Sequence, residues 1–168
     1  STTRFTHAGD EARAIEVGRI PKKPDIDKLT YVTLGLSNHE WPETERPRIE
    51  LLLVSTVDTD ACAQIVANLA FHLADTNFFP EPGTMVRDVV SAVGAEIADR
   101  LPHVYVQSPR AWLDLELPLD EGPPAVTLAQ VFPISEDEYQ AWKALGAERF
   151  ERSLIDRKVD IADLRRPG

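Results

Sequence analysis

The chain has 168 residues, 43% of them hydrophobic and 27% charged, and a formal charge of −10 at neutral pH. These are the proportions of an ordinary soluble protein, and the length suits one domain that buries about 70% of its unfolded surface. Direct nucleic-acid binding is not expected, because no basic stripe is available to neutralise phosphates. No membrane span is expected either: the longest mainly apolar window, 61–74, contains Gln64, Asn68 and His72 and is too short to cross a bilayer.

The charge is unevenly spread. Residues 1–28 carry a net +1 and residues 148–168 a net +1, so the middle, 29–147, holds −12. An acidic centre reads first as a solvated face and more sharply as an attractor for a basic protein partner. No basic–apolar–small signal peptide opens the sequence, which makes the cytoplasm the expected location.

Residues 1–13 are polar and are expected to be frayed or weakly attached, ahead of a single domain over 14–168. Ala14–Val17 fits a short edge strand, ended by the Pro21-Lys22-Lys23-Pro24 turn. Tyr31–Ser37 reads as a strand rich in β-branched and aromatic residues, with Gly35 marking a bulge. A polar loop, 38–47, follows with Trp41 inside it. Arg48–Val54 is then continuously apolar through Leu51, Leu52 and Leu53, as in a strand deep in a sheet.

Asp58, Thr59 and Asp60 are alternative N-caps for the next helix, whose stripe is Cys62, Ile65, Val66, Leu69 and Leu73. Phe71 falls on the opposite side. A second layer covering it is the favoured reading, and a contact surface is the other. Phe78-Phe79-Pro80-Glu81-Pro82-Gly83 is a turn-rich connector. Val86, Val89, Val90, Val93 and Ile97 permit helix or strand. Val104–Val106 is a short strand closed by Ser108-Pro109. Leu113, Leu115, Leu117 and Leu119 alternate with Asp114, Glu116, Pro118 and Asp120, a period-two pattern with an acidic face.

The stretch 126–146 carries the strongest folding signals. Val126, Leu128, Val131 and Phe132 form a strand that Pro133 is expected to end, since proline lacks the N–H for an interior ladder. Ser135 and Glu138 form a capping box, with Ile134 and Tyr139 placed as a hydrophobic staple. Tyr139, Trp142, Leu145, Phe150 and Leu154 continue an apolar stripe that Gly146 divides into two helices. An irregular segment, 159–166, closes the chain. Strands mixed with helices point to one α/β or α+β domain.

Catalytic and metal-binding signals are sparse. The single cysteine, Cys62, lies on an apolar helix face and reads as a buried structural thiol. His7, His39, His72 and His103 make no i, i+4 pair, so no metal site is expected, and His72 reads as a core-edge residue. Asp58 and Asp60 resemble the start of a calcium loop but lack its glycine and terminal glutamate. No nucleophile elbow, phosphate loop or dinucleotide turn occurs. Residues suited to partner contact are Trp41, Glu43 and Glu45 on the polar loop, and Asp114, Glu116, Asp120 and Glu121 on and beside the alternating segment. Phe78 and Phe79 are candidate aromatic anchors. Ordinary packing competes with a binding role at each.

Several stretches together resemble one family. Tyr31–Ser37 resembles the early T-x-G-x-S strand of the suppressor-of-fused family, and Glu50–Val54 its next strand, a glutamate followed by apolar residues. Phe78-Phe79 leading to Pro82–Val86 is similar to its aromatic–glycine turn. Val131–Tyr139 resembles its x-x-P-I-x-x-x-E-x junction, and Asp160–Arg166 its ending. The resemblance runs in order over residues 14–166. It implies a mixed α/β domain, a protein-binding activity without catalysis or cofactor, and, for a short bacterial member, an immunity role in a polymorphic-toxin system. It transfers no binding residue and leaves the oligomeric state open. A general intracellular adaptor and an unrecognised enzyme are the alternatives.

Overall fold

The computed structural model describes residues 1–43, 45–94, 96–110 and 125–168. In chain order the elements are β1 (Thr2–His7), β2 (Asp10–Pro21), β3 (Leu29–Leu34), β4 (Arg48–Ser55), α1 (Asp60–Thr76), β5 (Met85–Val86), α2 (Ile97–Arg100), β6 (His103–Gln107), β7 (Val126–Ile134), α3 (Glu136–Leu145) and α4 (Ala147–Asp156). Among the described residues the strands form one mixed seven-stranded sheet in the order β1-β2-β3-β4-β7-β6-β5. Neighbours are antiparallel except β4 and β7, which run parallel from Arg48↔Val126 to Leu53↔Val131. That parallel pair requires a long crossover, and α1 lies within it.

The continuous apolar run of β4 explains its central place. Alternate side chains point to opposite faces. Leu51 and Leu53 join Ile65, Val66, Leu69 and Leu73 of α1 in the main core, whereas Leu52 and Val54 pack with Ala162 of the C-terminal run. Farther along that second face, Tyr105 and Phe132 meet Phe150 and Leu154 of α4. Helices therefore cover both faces, and the expected mixed α+β class is the observed one.

Local chemistry decides several boundaries as expected. Thr59, of the three alternatives, caps α1, its side chain accepting from the Ala61 N–H at 3.3 Å. At α3 the capping box is complete. Ser135 Oγ accepts from the Glu138 N–H at 3.1 Å, and the Glu138 carboxylate accepts from the Ser135 N–H at 2.9 Å. Ile134 and Tyr139 share one apolar cluster, as a staple requires. Gly146, at φ 78°, separates α3 from α4. Arg166 then donates to Glu138 at 2.9 Å and to the Pro133 carbonyl at 2.6 Å, tying the irregular C-terminal run to the start of α3.

Other expectations give way. The polar N-terminal segment is not frayed: β1 pairs with β2 from Thr2↔Gly18 to His7↔Asp10. Ladder hydrogen bonds order it even though its side chains are largely exposed. Consequently β2 is twelve residues long and lies between β1 and β3, not at an edge. Gly35 is not a bulge; at φ 122° it ends β3 and opens a single 3-10 turn, Leu36–Asn38. The strand continues through Pro133 to Ile134, opposite Val104 and His103. The ladder to β4 has stopped at Val131, so proline sits where β7 is paired on one side, a position it tolerates. The ambiguous valines divide between β5, a 3-10 turn at Ser91–Val93 and the short α2. Phe71 is half-buried edge-on against His7, 5.2 Å between centroids, so its cover comes from the β1 end of the sheet. His72 is exposed, and His103 is the histidine that is buried.

Candidate partner-binding site

One buried carboxylate shapes the loop that holds most of the described contact candidates. Glu50 interrupts the apolar run of β4 and is only 6% exposed. Its two oxygens accept from the Thr33 hydroxyl at 2.6 Å and from the backbone N–H groups of Gly35, Leu36 and Ser37 at 2.8, 3.2 and 3.0 Å. Thr33 Oγ1 in turn accepts from the Leu51 N–H at 2.8 Å. The T-x-G-x-S pattern thus has a physical basis. Threonine and the turn amides supply donors to the glutamate, and glycine supplies the positive φ that aims them.

From that turn the chain runs to Trp41, 9% exposed, which packs edge-on against His39 at 4.6 Å and Phe79 at 5.2 Å. His39 Nε2 meets Asn77 Oδ1 at 3.0 Å, joining the β3–β4 loop to the connector after α1. Arg46 joins the same two segments by ion pairs to Glu43 and Glu81, and its guanidinium lies 4.9 Å from the Phe79 ring centroid. Hydrogen bonds to Glu43 and then Glu81 hold Arg46 more firmly charged than a free guanidinium. A groove of about 480 Å³ opens beside Trp41, with Asn38, Glu40, Glu43 and Arg46 among its walls. Trp41 Nε1 is buried without a hydrogen-bond acceptor among the described residues. Leaving such a donor unmet costs about 1–3 kcal/mol.

The sequence candidates fall as follows. Trp41, Glu43 and Phe79 belong to one cluster. Glu45 is exposed, and Phe78 is 40% exposed at the end of α1. Asp114, Glu116, Asp120 and Glu121 lie outside the described residues. Sequence reading did not place Arg46, Glu81, His39 or Glu50 among the contact candidates, although Glu50 stands in the strand that carries the family resemblance. A lone glutamate inside an apolar strand was the available signal for Glu50; the others carry none, because their partners lie on a separate segment.

Other polar clusters serve packing. Asp58 pairs with Arg19 and accepts from the Tyr31 hydroxyl at 3.1 Å. The Arg19 hydrogen bond, foremost, lowers the Asp58 carboxyl, and burial pushes the Tyr31 phenol up to about 12. Burial likewise raises the Cys62 thiol to about 11, as befits a structural cysteine. His103 accepts from the Asp88 N–H at 3.0 Å through Nδ1, leaving Nε2 to donate to Glu136 at 2.7 Å. A larger hollow, about 630 Å³, lies between α3, α4 and the C-terminal run. Its Asp160 and Asp163 accept from the N–H groups of Ala162 and Arg165, and Glu138 is held by Arg166. Among the described residues no three His, Cys, Asp or Glu side chains are grouped to hold a metal ion, and no helix is long and apolar enough to cross a membrane.

The family model of the suppressor of fused protein matches residues 11–167. This chain belongs to the suppressor of fused family. The chain is similar to immunity protein YqcF of Bacillus subtilis strain 168, 29% identical over 157 residues that span 91% of this chain and 80% of that protein. The fold is similar to that of a family homologue from Neisseria gonorrhoeae FA 1090, with a TM-score of 0.72 at 19% identity over 100% of this chain and 87% of that one. It is also similar to Sufu solved in complex with Fu, with a TM-score of 0.68 at 14% identity over 100% of this chain and 84% of the other. At these identities the two structures speak for the fold alone.

Proposed function

We propose that this family member is a non-catalytic immunity protein that binds and neutralises a toxin domain in the cytoplasm, within a polymorphic-toxin system. The observation that carries this reading is the relationship to immunity protein YqcF over 91% of the chain. The surface around the packed Trp41–Phe79 pair is acidic, with Glu40, Glu43, Glu45 and Glu81 exposed, which favours a basic partner. The net −12 of residues 29–147 suits a basic partner, such as a nuclease whose cleft is built for phosphates.

The test is a tagged pull-down from the native host at low and moderate salt, followed by co-expression. A stoichiometric partner that is toxic alone and harmless beside this chain supports immunity. Release of that partner by salt, and by charge reversal at Asp114 and Glu116, supports the acidic version; indifference to both overturns it. The alternative is an adaptor with a non-toxin protein partner. A stoichiometric partner present in cells that carry no cognate toxin would establish that reading instead.

A further inference from the structure

A hollow of about 320 Å³ lies between the second face of the sheet, α4, the turn at residues 24–28 and the C-terminal run. Much of its wall is aliphatic, from Val54, Leu154, Ile155, Val159 and Ile161. The charged groups around it are matched within the protein. Glu151 accepts from the Tyr105 hydroxyl at 2.9 Å and pairs with Arg110 at 2.7 Å. Lys28 stands 3.7 Å from Asp27 and 3.9 Å from Asp25, and Asp160 accepts from the Ala162 N–H at 3.0 Å. Gln107 is different. It lines the hollow and is only 6% exposed, yet its carboxamide makes no hydrogen bond among the described residues. Its oxygen and nitrogen are not among the unpartnered atoms sealed from solvent. Side chains two apart on a strand share a face, and the Tyr105 hydroxyl meets Glu151 of α4. Gln107 therefore points towards α4, and its small exposed part opens into this hollow. A nearly buried carboxamide without a partner costs stability until a ligand or water meets it.

We propose that this hollow binds a small uncharged molecule with a carboxamide or lactam edge on an apolar body. The ligand N–H donates to Gln107 Oε1, and the ligand carbonyl accepts from Gln107 Nε2. A carboxamide presents an acceptor and a donor side by side, and a second amide edge satisfies both. A charged ligand fits poorly, because every charged wall group named above has its partner and an unmatched ion beside aliphatic side chains is costly. The volume falls at the small end of the range for small-molecule sites. None of the Trp41 cluster lines this hollow, so the proposal stands independently of the immunity reading.

The experiment uses the full chain labelled with nitrogen-15 and carbon-13. Benzamide is the probe, and benzoate, the same ring with a carboxylate, is the control. The side-chain NH₂ resonances of Gln107 are assigned through its own backbone, so the native protein alone supplies the first answer. The expected result is a saturable displacement of that pair by benzamide, with ring-to-methyl contacts to Leu154 and Val159 and a much weaker response to benzoate. Gln107→Met keeps the length of the side chain and removes both hydrogen-bonding atoms. In that variant the benzamide dissociation constant, followed at the methyl groups, should rise about tenfold, as the loss of two neutral hydrogen bonds implies. No displacement at tens of millimolar benzamide overturns the proposal. So does an equal response to benzoate, ring contacts placed elsewhere on the protein, or an unchanged dissociation constant in folded Gln107→Met.

Discussion

Glu50 illustrates how much a single side chain organises. Its carboxylate accepts four hydrogen bonds, three of them from consecutive backbone amides that would otherwise be unpaired in a partly buried turn. Glu50→Ala strands these donors and is expected to cost about 3–5 kcal/mol in urea unfolding, in the range for breaking a buried charged network. Glu50→Gln keeps one acceptor oxygen but adds an N–H₂ where donors already converge, so it should fall between. Equal stability of all three proteins would remove Glu50 from this role. Asp58 makes a second residue-scale argument. Its folded carboxyl lies below its ordinary value, first because Arg19 hydrogen-bonds it. A depressed folded value means the unfolded chain binds the proton first. The stabilisation is therefore present above the unfolded value, near pH ~4, and is lost as pH falls through the folded one. Asp58→Asn should flatten the acid side of the melting-temperature profile and leave the profile between pH 6 and 8 parallel to that of the native protein.

At the scale of elements, the contact between the turn before β5 and the start of α4 is the tightest observed at a glycine with positive φ. Gly83 stands at φ 93°, and a Cβ there would lie 2.9 Å from the Ala147 Cβ at the start of α4. The Gly83 carbonyl also accepts from Trp142 Nε1 at 3.0 Å, so this turn clamps α3 and α4 to the edge of the sheet. Gly83→Ala combines an unfavourable backbone conformation with an overpacked contact. It is expected to lower stability by about 1–3 kcal/mol, read as a lower melting temperature. An unchanged melting temperature would show that the turn relaxes freely. The elements most legible in the sequence were those whose cause is local. The α1 stripe, the β4 apolar run and the Ser135–Glu138 capping box each arise from residues a few positions apart. The β1 strand was not legible, because its side chains are polar and its order comes from pairing with β2. The extension of β7 through Pro133 was missed for a related reason. Proline is excluded only where a ladder needs its N–H, and the end of the β4 ladder at Val131 is a property of the neighbouring strand.

For the whole molecule, the central question is how charge is distributed about a sheet covered by helices on both faces. If the acidic centre steers a basic partner, complex formation should weaken as salt rises. The screening length falls from about 10 Å at 0.1 M to about 3 Å at 1 M, and exposed charges such as Glu40 and Glu45 are screened first. The expected outcome is an association rate that drops by at least tenfold over that range, with a smaller change in dissociation, measured by stopped flow with the purified partner. A rate indifferent to salt would shift the weight of recognition to Trp41 and Phe79.

By itself, the sequence determined the mixed class of the fold, the central strand, the main helix, the capped α3 and, through ordered motifs, the family. These follow from period, capping and turn chemistry, which act over short distances along the chain. Only tertiary structure decided why the T-x-G-x-S pattern exists and which of the candidate contacts stand together. Glu50 reaches the turn 13–17 residues before it, and Arg46 reaches Glu81 across 35. Such pairings carry no local signature, because they depend on where the β3–β4 loop and the α1–β5 connector come to rest on the same end of the sheet.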